Sequence, residues 1–120
     1  MMSVELITHN GRTVVFGDFT ACNNKEKMIN KLHELEDLMR RQPGKVLYLA
    51  DLNKTHGNIE FMNAAKDVAK RTFDSKVEKA ALLGITGMKK VLLNGFNAVS
   101  KHKFLAFDTK ERALEFLTSN

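Results

Sequence analysis

Apolar and polar positions recur along the chain with two different periods, which separates predicted strands from predicted helices. Near the N-terminus, two short apolar runs flank Asn10 and Gly11. This pair suits the left-handed dihedral angles of a type I′ turn and therefore predicts a β-hairpin. Continuous apolar runs at 46–50, 80–83 and 104–107 indicate three further strands, with the burial on both faces that is typical of parallel sheets.

Between these runs, apolar residues recur every three or four positions, as in amphipathic helices. The first helix is predicted to begin at the cap residue Asn23. Further stripes run through 61–73, 88–99 and 113–117. The predicted order β-β-α-β-α-β-α-β-α is typical of an α/β domain with a mixed, mainly parallel sheet of about five strands and four helices. The apolar stripe of the first helix consists of Met28, Leu32, Leu35 and Met39.

Ligands of parallel sheets usually bind beyond the carboxyl ends of the strands. The loops predicted at that edge are 18–23, 51–58 and 84–90. The last of them has the sequence Gly-Ile-Thr-Gly-Met-Lys-Lys and leads into a helix, whose N-terminus offers unpaired N–H groups and a positive dipole end. It lacks the spacing of a phosphate loop. An ordinary helix start capped by Thr86 is the alternative interpretation. The candidate anion-binding residues of this loop are Thr86, Gly87, Lys89 and Lys90.

The loop after the third strand supplies the other ligand-binding candidates. Asp51 ends that strand, and Thr55 and His56 follow in a polar stretch. The parallel arrangement places them at the same edge as the loop 84–90. An aspartate in this position more often accepts bonds from the N–H groups of its own loop, which is the alternative.

Size and composition favour one domain spanning 1–120, which is not membrane-spanning. The chain has 43% hydrophobic and 28% charged residues, and its longest apolar runs are far shorter than a bilayer requires. The net charge of +5 is dispersed among acids, and tryptophan is absent, which argues against nucleic-acid binding. Cys22 is the single cysteine and excludes an internal disulfide. Because the N-terminal residues do not have the pattern of a secretory signal, we expect a cytoplasmic protein.

A rival interpretation is catalytic. Cys22 precedes the first helix, whose dipole would activate the thiol, and His56 with Asp18 or Asp51 would complete a Cys–His–Asp arrangement of a small hydrolase or transferase. These residues have no motif spacing, so no catalytic residue is assigned and a non-enzymatic protein is expected. No metal or other cofactor is expected either, because the histidines lack ligand spacing. They are His9, His33, His56 and His102.

The third predicted helix has more apolar positions than one buried face requires. The surplus would line a cleft for an apolar, lipid-like ligand or form the surface of a homodimer, with plain core packing as the alternative. The positions concerned are Met88, Leu92, Leu93, Phe96 and Val99.

Three local patterns resemble the SpoIIAA-like family, which is related to the STAS domain of anti-sigma-factor antagonists. They are Ala50-Asp-Leu-Asn-Lys-Thr55, Leu83-Gly-Ile-Thr-Gly-Met-Lys-Lys-Val-Leu-Leu-Asn-Gly-Phe-Asn97 and Phe104-Leu-Ala-Phe-Asp-Thr-Lys-Glu-Arg-Ala-Leu-Glu-Phe-Leu117. The resemblance implies a small STAS-like α/β domain, bacterial and cytoplasmic, that binds protein partners, nucleotides or apolar ligands. The family has also been compared with lipid-transfer folds of the CRAL-TRIO type.

The chain departs from true STAS antagonists in the loop 53–58. Those proteins are switched by phosphorylation of a serine there, whereas Thr55 is the only hydroxyl residue in this loop. The leading prediction is therefore a binding or regulatory module. It would take a small anionic or apolar ligand, or a regulatory protein partner, at the loops after the central strands.

Overall fold

The computed structural model describes residues 4–101 and 103–119, so His102 lies outside the described residues. Five strands form one sheet in the order β1-β2-β3-β4-β5, in which β1 and β2 are antiparallel and the other neighbours are parallel. The predicted α/β class and mixed sheet are confirmed. The strands are β1 (Val4–His9), β2 (Arg12–Asp18), β3 (Val46–Asp51), β4 (Val77–Leu83) and β5 (Phe104–Phe107).

Four helical segments connect and follow the parallel strands, as predicted. The second of them continues beyond its α-helical part through a π-helical turn at Ala69–Phe73 and a last turn at Asp74–Lys76. The helices are α1 (Lys25–Arg40), α2 (Ile59–Val68), α3 (Met88–Val99) and α4 (Lys110–Thr118).

Local chemistry explains where these elements begin and turn. Asn10 and Gly11 have φ angles of 52° and 76°, which confirms the predicted left-handed hairpin turn. The predicted cap of α1 was one residue too early, because it is the Asn24 side chain that accepts the N–H of Lys27. Thr109 caps α4 in the same way through the N–H of Arg112.

The strand order places three helices on one face of the sheet. Parallel neighbours that follow one another in sequence are joined by right-handed crossovers, which carry α1, α2 and α3 to the same side. Their core includes the predicted stripe of α1 together with Tyr48 and Phe73. After β5 the chain turns back, and α4 covers the other face with Ala113, Leu114 and Leu117.

Candidate functional site

The three predicted loops meet along one edge of the sheet. The N–H of Phe19 donates to the carbonyl oxygen of Asp51 at 3.0 Å, and the N–H of Leu52 donates to that of Leu83 at 2.9 Å. These bonds continue the pairing of β2, β3 and β4 into their loops. The prediction that the loops share one rim is therefore confirmed.

Asp51 takes part in its own loop, as the alternative interpretation expected. Its Oδ1 accepts the backbone N–H of Asn53 at 3.0 Å and the Asn53 side-chain amide at 2.8 Å. Thr55 is buried, and its hydroxyl donates to the carbonyl oxygen of Leu52 at 2.7 Å. Both residues thus hold the turn after β3 in shape.

The turn before α3 depends on glycine. Gly84 has a φ of +78°, and a Cβ there would lie 2.5 Å from the backbone nitrogen of Asn53, so only glycine lets the two loops approach this closely. Gly87, with φ 58° and ψ −130°, occupies the N-cap position of α3. The expected cap by Thr86 is therefore wrong: Thr86 is exposed, and α3 begins without a side-chain cap.

The start of α3 is also less open to an anion than predicted. The N–H of Lys89 donates to the carbonyl oxygen of Thr86 at 3.1 Å, and the N–H of Lys90 donates to that of Gly87 at 3.0 Å. These tight turns satisfy donors that an anion would otherwise use. The helix terminus alone is a poor anion site.

The two neighbouring lysines differ in environment. Lys89 reaches inward, where its Nζ donates to the carbonyl oxygen of Leu52 at 2.9 Å. Burial lowers the pKa of Lys89 because it penalises the charged form, and the nearby Asp51 only partly opposes this shift. Lys90 is exposed to solvent.

A cavity opens beneath the three helices on the side of these loops. Its volume is about 90 Å³, counted as the space that the centre of a water-sized molecule can occupy. The walls come from α1, α2, α3 and the sheet, and they are almost entirely apolar. Representative wall residues are Phe19, Met28, Leu52, Phe61, Leu92 and Phe96.

The polar side chains around this cavity come mainly from the loop after β3. Thr55, His56 and Asn58 line it, and Lys89 joins them from α3. The Asn58 side chain also caps α2 by accepting the N–H of Phe61 at 2.7 Å. Three of the predicted site residues, Thr55, His56 and Lys89, thus line one cavity.

The remaining predicted residues do not line the cavity. They are Asp51, Thr86, Gly87 and Lys90. Sequence reasoning missed Asn58, although an asparagine directly before an apolar helical stripe is itself a recognisable cap signal.

Cys22 and His56, the central residues of the catalytic alternative, line different hollows. Cys22 is buried and lines a different, more open hollow together with Lys27, Lys31 and Glu34. Burial raises the pKa of the Cys22 thiol, which opposes the thiolate form that a nucleophile requires. The carboxylate of Asp18 accepts the N–H and hydroxyl of Thr20 at 2.9 and 2.6 Å. The described geometry does not join these groups to His56.

A second polar cluster, not predicted from the sequence, ties α1 to the extension of α2. Glu36, whose side chain is 6% exposed, receives two bonds from the Arg71 guanidinium at 2.7 and 2.8 Å. Thr72 donates its hydroxyl at 2.5 Å, and Arg40 adds a bond at 3.0 Å. The Arg71 bonds hold the pKa of Glu36 at about 2 despite its burial. Within this cluster the carboxylate is fully paired.

Within residues 4–101 and 103–119, no group of three His, Cys, Asp or Glu side chains comes together as a metal site. Among the same residues, no helix combines the length and apolar character needed to cross a bilayer.

Comparison with known proteins supports the fold. No family model matches the sequence, and no curated protein matches it. Among solved structures, an uncharacterized protein of the DUF3478 family from Shewanella loihica PV-4, described as having a SpoIIAA-like fold, superposes with a TM-score of 0.68. The two share 14% identity over 95% of this chain and 91% of that chain. The predicted SpoIIAA-like fold is therefore confirmed, and this likeness concerns the fold alone.

Proposed function

We propose that the protein is a binding module for a small amphipathic molecule that has an apolar chain and an anionic head. The observation that carries this proposal is the position of Lys89, a partly buried cation at a mainly apolar cavity. The cavity would take the apolar chain, and the lysine would pair with the head.

The cavity suits a slender apolar group. An engineered apolar cavity of about 150 Å³ in another protein stays dry and binds benzene, whereas drug-sized ligands need about 300 Å³ or more. At about 90 Å³, this cavity matches a short stretch of hydrocarbon chain whose remainder extends toward the opening. Displacing apolar surface from water would drive the binding.

Lys89 supplies the preference for an anion. Its charge is held in a poorly solvated position, with the carbonyl oxygen of Leu52 as its acceptor at 2.9 Å. An anionic head beside Nζ would offset the cost of desolvating the ammonium group. His56 lies at the same cavity and could bond to the head, while Asn58 beside it already caps α2.

A purely inorganic anion fits less well, because the first N–H groups of α3 are already partly used and Lys89 is the single lysine among the described residues that line the cavity. A catalytic role has weaker support, since Cys22 is buried and does not line the cavity that His56 lines. The chemistry of the cavity therefore favours reversible binding.

Three small probes separate the contributions of chain and head. Octanoate has both, octanol lacks the charge, and acetate lacks the chain. Isothermal titration calorimetry is expected to show octanoate binding most tightly and acetate not at all. For octanoate, Lys89→Met should weaken binding roughly tenfold or more, because a hydrogen bond to a charged group is lost. Octanol binding should change little.

Matched variants define the controls. Lys70→Met removes an exposed lysine that does not line the cavity and should leave octanoate binding unchanged. Ala65→Leu would fill the cavity from α2 and should abolish binding, whereas Asn63→Leu adds the same side chain at an exposed position of that helix. Octanoate binding that persists in both Lys89→Met and Ala65→Leu would refute the proposal.

A further inference from the structure

Helix α3 is apolar on its outer side as well as on the side that faces the cavity. Met88 and Val91 are each 63% exposed, and Val99 is 51% exposed. We call these three residues the outer α3 face. Ile59, at the start of α2, is a further exposed apolar residue, with 64% of its surface accessible. A helix with apolar residues on two sides is expected to have a second partner.

The segment that carries this face has charged side chains of one sign. Positions 84–107 contain four lysines and no aspartate or glutamate. Of these lysines, Lys90 is exposed beside Val91, and the described residues contain no carboxylate within ion-pair distance of it. The lysines of this segment are Lys89, Lys90, Lys101 and Lys103.

Three carboxylates on adjoining elements accept bonds within the protein. Glu60 of α2 pairs with Lys25 at 2.6 Å, and Asp51 accepts bonds from Asn53. Asp74, at the end of the α2 extension, accepts the N–H of Lys101 at 3.0 Å. The segment that carries the outer α3 face therefore contributes charged side chains of positive sign only.

From this combination we infer that the outer α3 face docks the protein onto an anionic lipid bilayer surface. Exposed apolar side chains flanked by lysines are the features by which interfacial helices bind such surfaces. Met88 and Val91 would enter the boundary between head groups and acyl chains, while Lys90 would contact anionic head groups. A second copy of this chain is a poorer occupant, because face-to-face stacking would bring lysines of equal charge together.

The docking face adjoins the cavity. A Cβ at Gly57, which lines the cavity, would lie 3.3 Å from Cγ of Met88 and 3.0 Å from a methyl carbon of Leu92. The start of α3 thus presents one side to the cavity and the other to the docking surface. This inference goes beyond the proposed function, because it rests on the outer residues of α3 and not on the cavity lining.

The test is co-sedimentation of the full chain with vesicles. Vesicles of phosphatidylcholine containing phosphatidylserine should pellet the protein at low salt, and vesicles of phosphatidylcholine alone should pellet it much less. Added salt should release it, since the attraction is screened. Val91→Asp should weaken binding roughly tenfold or more, because a carboxylate would enter the apolar boundary. Lys90→Met should weaken it about fivefold.

Leu6→Asp is the matched control for Val91→Asp. It makes the same change at another exposed apolar residue, on β1, where 45% of the side chain is exposed. This variant should keep most of the vesicle binding, and circular dichroism checks that both variants fold. Equal loss in Val91→Asp and Leu6→Asp, or equal binding to both kinds of vesicle, would overturn the inference. So would concentration-dependent dimers in gel filtration that Val91→Asp abolishes without any vesicle binding by the wild type.

The inference and the proposed function can fail separately. Ala65→Leu should lose octanoate binding and keep vesicle binding, whereas Val91→Asp should do the reverse. Vesicle binding that disappears in Ala65→Leu would mean that the cavity extracts lipid, and docking by the outer α3 face would then be rejected.

Discussion

On one face of the sheet, the contact of α1 with the extension of α2 and the contact of α2 with α3 are built in opposite ways. Between α1 and the extension of α2, the buried Glu36 carboxylate accepts four bonds, from Arg71, Thr72 and Arg40. Between α2 and α3, small residues such as Gly57 and Ala65 face apolar side chains and leave a cavity. The first contact is closed by directional bonds, and the second has room for another molecule.

This difference separates a supporting contact from a candidate binding site. A buried carboxylate with four donors has no remaining capacity for a ligand. Lys89 has one protein acceptor in the described structure, and its burial lowers its pKa. We therefore expect a ligand beside Lys89, where the protein only partly compensates for the removal of the ammonium group from water.

The largest expected change in stability concerns the contact between α1 and the extension of α2, which Glu36 closes. Glu36→Gln should lower the free energy of unfolding by about 2 to 3 kcal/mol, because the charge that Arg71 and Arg40 pair with is lost. Urea unfolding at neutral pH measures this. Glu34→Gln, at an exposed position of the same helix, should change it little. Equal effects of the two variants would show that the Glu36 cluster does not close this contact.

The same contact should make stability depend on acid pH. The pKa of Glu36 falls from an ordinary 4.5 to about 2 in the folded protein, so the unfolded state binds a proton first as the pH drops. The stability that Glu36 contributes should be complete above about pH 4.5 and disappear as the pH falls through about 2. The difference in unfolding free energy between wild type and Glu36→Gln should shrink over this window. A constant difference would contradict the assignment.

A smaller change in stability is expected at the contact between α2 and α3, which leaves the cavity. Ala65→Leu should raise the free energy of unfolding by up to about 1 kcal/mol, because it fills empty space between α2 and α3. Thermal unfolding measures the change against Asn63→Leu, which places leucine in solvent on the same helix. Destabilisation by well over 1 kcal/mol in Ala65→Leu alone would mean that this contact is already tightly packed.

The smallest effect concerns Lys89 without ligand. Its lowered pKa means that the unfolded state holds the proton more strongly, so its contribution to stability should rise as the pH increases toward 10.5. Compared with Lys89→Met, the wild type should therefore gain stability between neutral and alkaline pH. Lys70→Met should show no such trend relative to the wild type. Parallel pH profiles for both variants would argue against a desolvated Lys89.

Much of the fold could be predicted because its signals are local. The Asn10-Gly11 turn, the stripe from Met28 to Met39 and the apolar run of β3 each depend on a few neighbouring residues. The edge shared by the three loops then follows from parallel strand order. Asn24 replaced Asn23 as the cap of α1 because adjacent asparagines carry the same signal.

The site was harder to predict because it depends on side-chain direction. Adjacent helical residues point about 100° apart, so the start of α3 at Met88 decides that Lys89 faces inward while Lys90 faces solvent. Glu36 and Arg71 lie 35 positions apart in the sequence. Arg71 belongs to a π-helical turn that no local sequence pattern predicted. The cavity arises from the way three helices pack together, so the sequence of any one helix does not predict it.

A crystal structure of the protein with octanoate tests the central claim most directly. The account predicts the hydrocarbon chain between α2 and α3 beside Phe61 and Leu92, with the carboxylate within hydrogen-bond distance of Nζ of Lys89. A carboxylate bound at the exposed Lys90, or a chain lying outside an unchanged cavity, would contradict it.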